Sequence, residues 1–246
     1  MARFVRHTSC HECGSKDNRA VYDDGSEWCF GCHSFSSPKI SPLVNISFPD
    51  KPHHPLPDDV STHIGQAGVE WLTKYEVPIE TLIARGVRWS NSRQQLFFTF
   101  PGTLFWQARN FVKGKPKYFT NGSHEDFLPV YYYQSSPYDS SSTVVLTEDC
   151  LSAIKIASLS PIEGFGWDAM PLLGTNLPSS KLLALKRHYS KIIVWLDHDK
   201  GKEAMAIATR STFVGVNSRV VVTELDPKEL DEKTIYDLLR ESRVPK

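Results

Sequence analysis

Hydrophobic and polar positions change rhythm several times along this chain. From Thr143 onward, short apolar runs alternate with amphipathic stretches: TVVLT, CLSAIKIASL, a short run near PLLGT, SSKLLALKRHY, KIIVWL, GKEAMAIATRSTFV, RVVVTEL and KELDEKTIYDLLRE. Runs with no polar face predict strands covered on both sides, and helices between them predict an α/β sheet with largely parallel strands. Upstream, from about 63 to 142, Val69, Leu72, Tyr75 and then Ile79, Leu82 and Ile83 recur at helical spacing around Pro78. QQLFFTFPG and TLFWQARNFV follow with strand-like alternation and a hairpin turn expected at Pro101-Gly102. The Ser-rich run SSPYDSSST closes this segment. Residues 37–62 hold six prolines, which remove backbone donors and favour extended conformations, so a semi-rigid linker is expected there. Residues 1–36 are too short and too polar to fold on an apolar core alone. The expected organisation is a small ribbon over 1–36, a linker over 37–62, a basic α+β subdomain over 63–142 and a parallel-sheet domain over 143–246.

Composition adds exclusions. The 246 residues are 40% hydrophobic and 23% charged, an ordinary soluble balance, and 28 basic residues cancel 28 acidic ones. No stretch approaches the roughly 18 apolar residues of a membrane span, and MARFVRHTSC is too polar for a secretory signal, so a cytoplasmic protein without membrane partners is expected. The neutral total hides an uneven distribution. From Thr81 to His124 there is no Asp or Glu, while Arg85, Arg88, Arg93, Arg109, Lys113, Lys115 and Lys117 all fall there. A face suited to phosphates beside one suited to cations is the first functional hint.

Two constellations carry chemistry. Cys10-x2-Cys13 and, fifteen residues on, Cys29-x2-Cys32 are two knuckles that together close a tetrahedron, which predicts one structural Zn2+. RAVYDDGSEW between them reads as a hairpin turning at Asp24-Gly25. Lys16, Arg19, Trp28 and Phe30 are the ribbon residues expected to be exposed and available to nucleic acid. The second constellation is acidic. Glu148 and Asp149 follow TVVLT, Asp197 and Asp199 follow KIIVWL, and Asp226 follows RVVVTEL. Side chains at carboxyl ends of neighbouring parallel strands converge over one crevice. Carboxylates two apart on an extended D-x-D can share Mg2+. Helix capping is the competing role for any single acid. Among the aromatics interleaved with the basic residues, Trp89, Phe105, Trp106, Phe111, Tyr118 and Phe119 are candidates to stack bases, with sheet core as the alternative for Phe105 and Phe111 as for Phe97.

A zinc ribbon, a proline-rich linker and a basic segment, followed by TVVLTEDCLSAIKIA, IIVWLDHDKGKEAMAIA and ELDPKEL, resemble the primases of bacteria and bacteriophages, whose catalytic core is a Toprim fold. The order and spacing resemble most the primase half of phage primase-helicases. The resemblance implies template-directed synthesis of short RNA primers from NTPs on single-stranded DNA. It places Glu148, Asp197 and Asp199 at the catalytic centre and adds Asp226 to the set holding one or two Mg2+ or Mn2+, with Glu148 as ligand or proton acceptor. It assigns Arg93, Arg109 and Lys117 to nucleotide and template. Asp149 stands where the family has Gly, Ser152 where it has a second Asp, and the Gly after the D-x-D comes one residue early as Gly201. No G-x-x-x-x-G-K-[ST] occurs in the sequence, so a separate replicative helicase acting in trans is the expected partner, in a bacterial cell or phage-infected host. A metal-dependent Toprim nuclease and a non-catalytic zinc-ribbon replication accessory protein are the competing functions.

Overall fold

The computed structural model describes residues 3–23, 26–36, 54–100, 103–122, 127–133, 142–159 and 166–240. The expected turns at Asp24-Gly25 and Pro101-Gly102, residues 37–53 of the proline-rich segment, and the Ser-rich run up to residue 141 lie outside the described residues. The chain divides into two compact units, Met1–Asp50 and Lys51–Lys246.

The first unit is a four-stranded antiparallel ribbon of β1 (Phe4–Thr8), β2 (Arg19–Tyr22), β3 (Glu27–Cys29) and β4 (Phe35–Ser36), in that order. The expected hairpin is β2–β3, paired from Arg19↔Cys29 to Val21↔Glu27. Its buried apolar set is small: Cys10, Ala20 and Cys29. Arg19, expected at the surface, is 8% exposed and lies in this interior, paired with Glu27 at 2.6 Å and donating to Ser36 Oγ. A strand position facing inward converts the guanidinium from a reader of nucleic acid into a brace between strands.

The second unit joins two sheets. Val60–Ser61 (β5) opens it, followed by helices α1 (Gln66–Leu72) and α2 (Ile79–Ala84), separated by a 3-10 turn at Thr73–Tyr75 and by Pro78. Then come β6 (Val87–Ser90), β7 (Gln95–Thr99), β8 (Trp106–Asn110) and β9 (Tyr118–Asn121), all antiparallel in the order β5-β6-β7-β8-β9. Period-2 alternation sorts this sheet's faces. Val87, Trp89, Leu96 and Phe98 turn into the main core against Trp71, Leu72 and Leu82, while Phe97, Trp106 and Ala108 form a small cluster on the other side. Gly86, at φ +89°, makes the turn from α2 into β6, and a Cβ there would lie 2.5 Å from the Thr99 carbonyl oxygen.

The second sheet has the order β11-β10-β12-β13, all parallel: β10 (Thr143–Thr147), β11 (Asp168–Pro171), β12 (Lys191–Val194) and β13 (Asn217–Val220). Helices α3 (Cys150–Ala157), α4 (Ser179–His188), α5 (Gly201–Phe213) and α6 (Glu232–Arg240) connect and cover it. Every residue of β10 is buried, which is why TVVLT carries no polar alternation. Val145, Ala169 and Ile193 face the core shared with the first sheet; Val144, Leu146, Met170, Ile192 and Val194 face α4 and α5. Two strands begin earlier than the apolar runs suggest. β11 starts at the fully buried Asp168, whose carboxylate accepts from Tyr189 Oη and Tyr133 N at 3.0 Å each, and β13 starts at Asn217, opposite Lys191, and runs to Val220, opposite Val194.

Candidate active site

In the ribbon, the four cysteines expected to hold zinc have sulfurs within 4.8 Å of one another. Cys10–Cys32 and Cys13–Cys29 are each 3.7 Å apart, matching the roughly 3.8 Å between sulfurs of a tetrahedral Zn2+ with bonds of about 2.3 Å. The two knuckles are built alike. Cys10 N donates to Ser15 O and Gly14 N to Cys10 O; Cys29 N donates to Ser34 O and His33 N to Cys29 O. The residue after each second cysteine takes the left-handed conformation, Gly14 at φ +71° and His33 at φ +58°. Five free thiols are present and none is disulfide-bonded, the fifth being the buried Cys150. These are the residues and spacings a single zinc ion requires.

The strand order of the parallel sheet reverses between β10 and β12, the place where open α/β sheets form a crevice. Glu148 leaves the end of β10 and Asp197 lies just beyond β12. Both carboxylates have a buried oxygen, Glu148 Oε2 and Asp197 Oδ1, without a hydrogen-bond partner. Burial raises both pKa values, and for Asp197, with Asp149, Asp226 and Glu148 adding like charge against the opposing Lys228, the result is about 7. A buried carboxylate oxygen with no hydrogen-bond donor is a candidate ligand for a cation.

The other acids are placed differently. The extended D-x-D geometry is not found: Lys200 N donates to Asp197 O, so the chain turns over 197–200 on its way into α5, and Asp199 points outward, 56% exposed and ion-paired with Lys200. Asp199 still acts on Glu148 by charge repulsion. Asp149 is the N-cap of α3; its Oδ1 accepts from Leu151 N at 2.8 Å and Ser152 N at 3.1 Å, and its Oδ2 from Ser152 Oγ. Ser152 and Asp149 thus form a capping pair. Asp226 lies six residues past β13 and closes a capping box with Glu229 over the Pro227–Glu229 turn. His198 N donates to Asp226 Oδ1 at 3.3 Å. Among the described residues, the four cysteines are the only group of three or more His, Cys, Asp or Glu that brings its ligand atoms so close together.

Sequence reasoning passed over Lys228. Its Nζ lies 2.8 Å from Asp226, 3.0 Å from Asp149 and 3.7 Å from Asp197. Burial works against its charge, but the three carboxylates more than offset that and hold its pKa above the usual lysine value. The signal was present: a lysine two residues after the third acidic position is delivered by one tight turn to the same crevice.

The acid-free segment meets this crevice through β8. Gln107 Oε1 accepts from Cys150 Sγ at the start of α3 at 3.6 Å. Two residues on, Arg109 shares Gln107's face. Its guanidinium lies 4.2 Å from the Trp71 ring centroid and donates to Tyr118 Oη at 2.9 Å. Burial raises the Tyr118 pKa to about 12, with Arg109 pulling it down and Asp149 pushing it up. Lys117 is exposed, 5.5 Å from the Tyr118 ring centroid. Arg93 stands apart: it is exposed and lines a cleft of about 480 Å³ with His54, Asp58, Asp59 and Ser92. Of the aromatics considered for stacking, Trp89, Phe105 and Trp106 are at most 3% exposed and belong to the core. Phe111, Tyr118 and Phe119 are half-buried.

No family model matches the chain. A stretch of 29 residues is 55% identical to the DNA helicase/primase of Enterobacteria phage T3, spanning 12% of this chain and 5% of that protein. Among solved structures, the primase fragment of the bacteriophage T7 primase-helicase superposes with a TM-score of 0.54 at 17% identity, over 98% of this chain and all of that fragment. The DnaG catalytic core gives 0.54 at 13% identity over 72% of this chain and 73% of its own length. The Aquifex aeolicus primase, with its zinc-binding and RNA polymerase domains, gives 0.52 at 13% identity over 72% and 55%. With a four-cysteine ribbon and a parallel sheet bearing acids at its carboxyl ends, this chain has the fold of the phage primase fragment, and its core shares the fold of the DnaG catalytic core.

Proposed function

We propose that this protein is a DNA primase: a template-directed nucleotidyltransferase that makes short RNA primers on single-stranded DNA. The observation that carries the reading is the pair of buried, unpartnered carboxylate oxygens on Glu148 and Asp197, in a unit that also holds a guanidinium on an aromatic platform of Trp71 and Tyr118. In the reaction a 3′-hydroxyl oxygen bonds to the α-phosphorus of an NTP, pyrophosphate leaves, and the hydroxyl proton passes to water. Charge builds on the phosphate oxygens, so positioning and cationic stabilisation are most of what the protein must supply.

Glu148 and Asp197 would hold Mg2+ or Mn2+ at the carboxyl edge of the sheet, with Asp199 at the mouth and Asp226 alongside. A bound divalent ion would neutralise phosphate charge and lower the pKa of the attacking hydroxyl. Arg109 meets the phosphates from the neighbouring sheet; Trp71 and Tyr118 fix its plane, which lowers the entropy lost on binding. Lys117 adds a flexible point charge. Arg93, in its separate cleft, is suited to the template backbone at a distance from the reacting atoms. In the other unit, Cys10, Cys13, Cys29 and Cys32 hold one structural Zn2+, and the ribbon they fold selects the template start. Partners on this reading are single-stranded DNA, NTPs and a replicative helicase acting in trans.

Labelled NTPs on a mixed single-stranded template library, with and without Mg2+, test the proposal. Short RNA products that require Mg2+ and vanish in Asp197→Asn support it. Template degradation without NTP incorporation would assign the site to a nuclease. DNA binding indifferent to Asp197→Asn, with no product, would make the chain an accessory protein.

A further inference from the structure

Lys228 occupies a position among the acids that a cation would otherwise fill. Its side chain is 13% exposed, and three carboxylates surround its Nζ at 2.8, 3.0 and 3.7 Å. The backbone that delivers it is secured from two sides. Lys155, buried in α3, donates from Nζ to the Lys228 carbonyl at 3.1 Å and to the Tyr75 carbonyl at 2.7 Å. The capping box between Asp226 and Glu229 closes the short turn, with Pro227 fixing its first dihedral. A hydrated ion would have to displace an ammonium held by the fold, not a surface lysine free to swing away.

The carboxylate oxygens divide accordingly. Both oxygens of Asp149 are engaged, Oδ1 by two backbone N–H groups and Oδ2 by Ser152 Oγ and Lys228. Asp226 Oδ1 accepts from His198 N and Oδ2 from Lys228. The buried oxygens left without a donor are Glu148 Oε2 and Asp197 Oδ1. Charge points the same way. When ionised to ligate a cation, Glu148, Asp149, Asp197 and Asp226 total four negative charges, Lys228 returns one, and one divalent ion brings the group to a single negative charge, Asp199 being matched by Lys200. A second divalent ion would make it positive and would sit against the ammonium in a partly dry site, where repulsion is strong.

Resting on the nucleotidyl-transfer reading of this site, we infer that Lys228 is a built-in cation, a positioning residue that takes the place of a second divalent ion. The acids of the free protein would then hold one divalent ion, with Glu148 and Asp197 as its ligands, and Asp149 and Asp226 act as counter-ions to Lys228.

The test is a titration of Mn2+ into the zinc-loaded full chain without nucleotide, followed by electron paramagnetic resonance and calorimetry, with melting curves as the folding control. The wild type is expected to bind one Mn2+ per chain, and Lys228→Arg, which keeps the charge, also one. Lys228→Met is expected to bind two, with the first tightened on the order of tenfold or more once the competing charge is gone. A wild type holding none or two overturns the inference, and so does a folded Lys228→Met that still holds one. If Lys228→Met does not fold, Lys228→Gln and the wild-type count decide by the same criteria. Failure of the two readings is distinguishable. Absent primer synthesis with counts of one and two removes the primase assignment and keeps the role of Lys228; primers with equal counts do the reverse.

Discussion

At the scale of single residues, the site separates acids that look equivalent in sequence by which of their oxygens already have donors. Asp149 and Asp226 cap helical turns, whereas Glu148 and Asp197 keep a buried oxygen unpaired. Asp197→Asn and Glu148→Gln are therefore expected to cut NTP incorporation at least about hundredfold while leaving the melting temperature and template affinity near wild type. Asp149→Asn keeps a capping oxygen but loses the ion pair with Lys228, and should instead lower stability by about 1 kcal/mol, visible as a lower melting temperature. On the basic side, Arg109→Ala removes a phosphate contact from a preorganised plane. The slope of log affinity against log salt for single-stranded DNA should fall by about 0.7. Arg109→Lys should not restore NTP use, because an ammonium cannot lie flat on Trp71 while donating to Tyr118. An unchanged slope in Arg109→Ala would show that this guanidinium serves only the packing of the sheet.

Elements depend on a few non-local contacts, and these make separate tests possible. The ribbon buries so little apolar surface that its metal must supply the folding energy, about 10–16 kcal/mol in comparable peptides. Cys10→Ser or Cys29→Ser is expected to lower zinc content and abolish amide protection across Phe4–Ser36 while the parallel sheet keeps its own; retained protection would refute the dependence. At the opposite edge of the basic sheet, Asp59 fastens the β5 end to the β6–β7 turn, accepting from Ser90 Oγ and Ser92 N at 2.7 Å each. The Ser92 backbone donor first, then the Ser90 hydroxyl, hold its pKa at about 2, against an ordinary value near 3.8. A depressed carboxylate stabilises the fold above its ordinary value and loses that contribution as pH falls through about 4 toward about 2. Asp59→Asn should accordingly melt below wild type at pH 6, and the two melting curves should converge near pH 2. Gly86→Ala, which drives a Cβ onto the Thr99 carbonyl, should cost about 1–3 kcal/mol in denaturant titration.

For the molecule as a whole, the boundary between units lies at Asp50, so the fragment to isolate begins at Lys51. A start at Ser61 would remove Asp59 and the His54 carbonyl that accepts from Trp106 Nε1 at 3.1 Å. The fragment from Lys51 to Lys246 is expected to extend a supplied short RNA but not to start one, and to lose template preference on the mixed library. Efficient initiation with unaltered template choice would reduce the ribbon to a stabilising module. No helix among the described residues is long and apolar enough to cross a membrane.

The sequence by itself determined whatever depends on short spacing or on a period. The two Cys-x2-Cys knuckles specify a four-thiolate site because each closes on its own local hydrogen bonds. The uninterrupted apolar run of TVVLT specifies a strand covered on both faces, and the order of runs and helices specifies a parallel sheet with acids at its carboxyl ends. The tertiary structure alone decided which of those acids stay unsatisfied, because that depends on donors from elsewhere in the chain: Lys228 on Asp149, 79 residues away, and the His198 backbone on Asp226. It also decided that Arg19, Trp89 and Trp106 are interior, since composition shows that a side chain is large or charged but not which face of a sheet it leaves. β1, β6 and β9 were legible only in space: β1 has no buried position and so no alternation, β6 and β9 span four residues each, and all three are held by the neighbour they pair with.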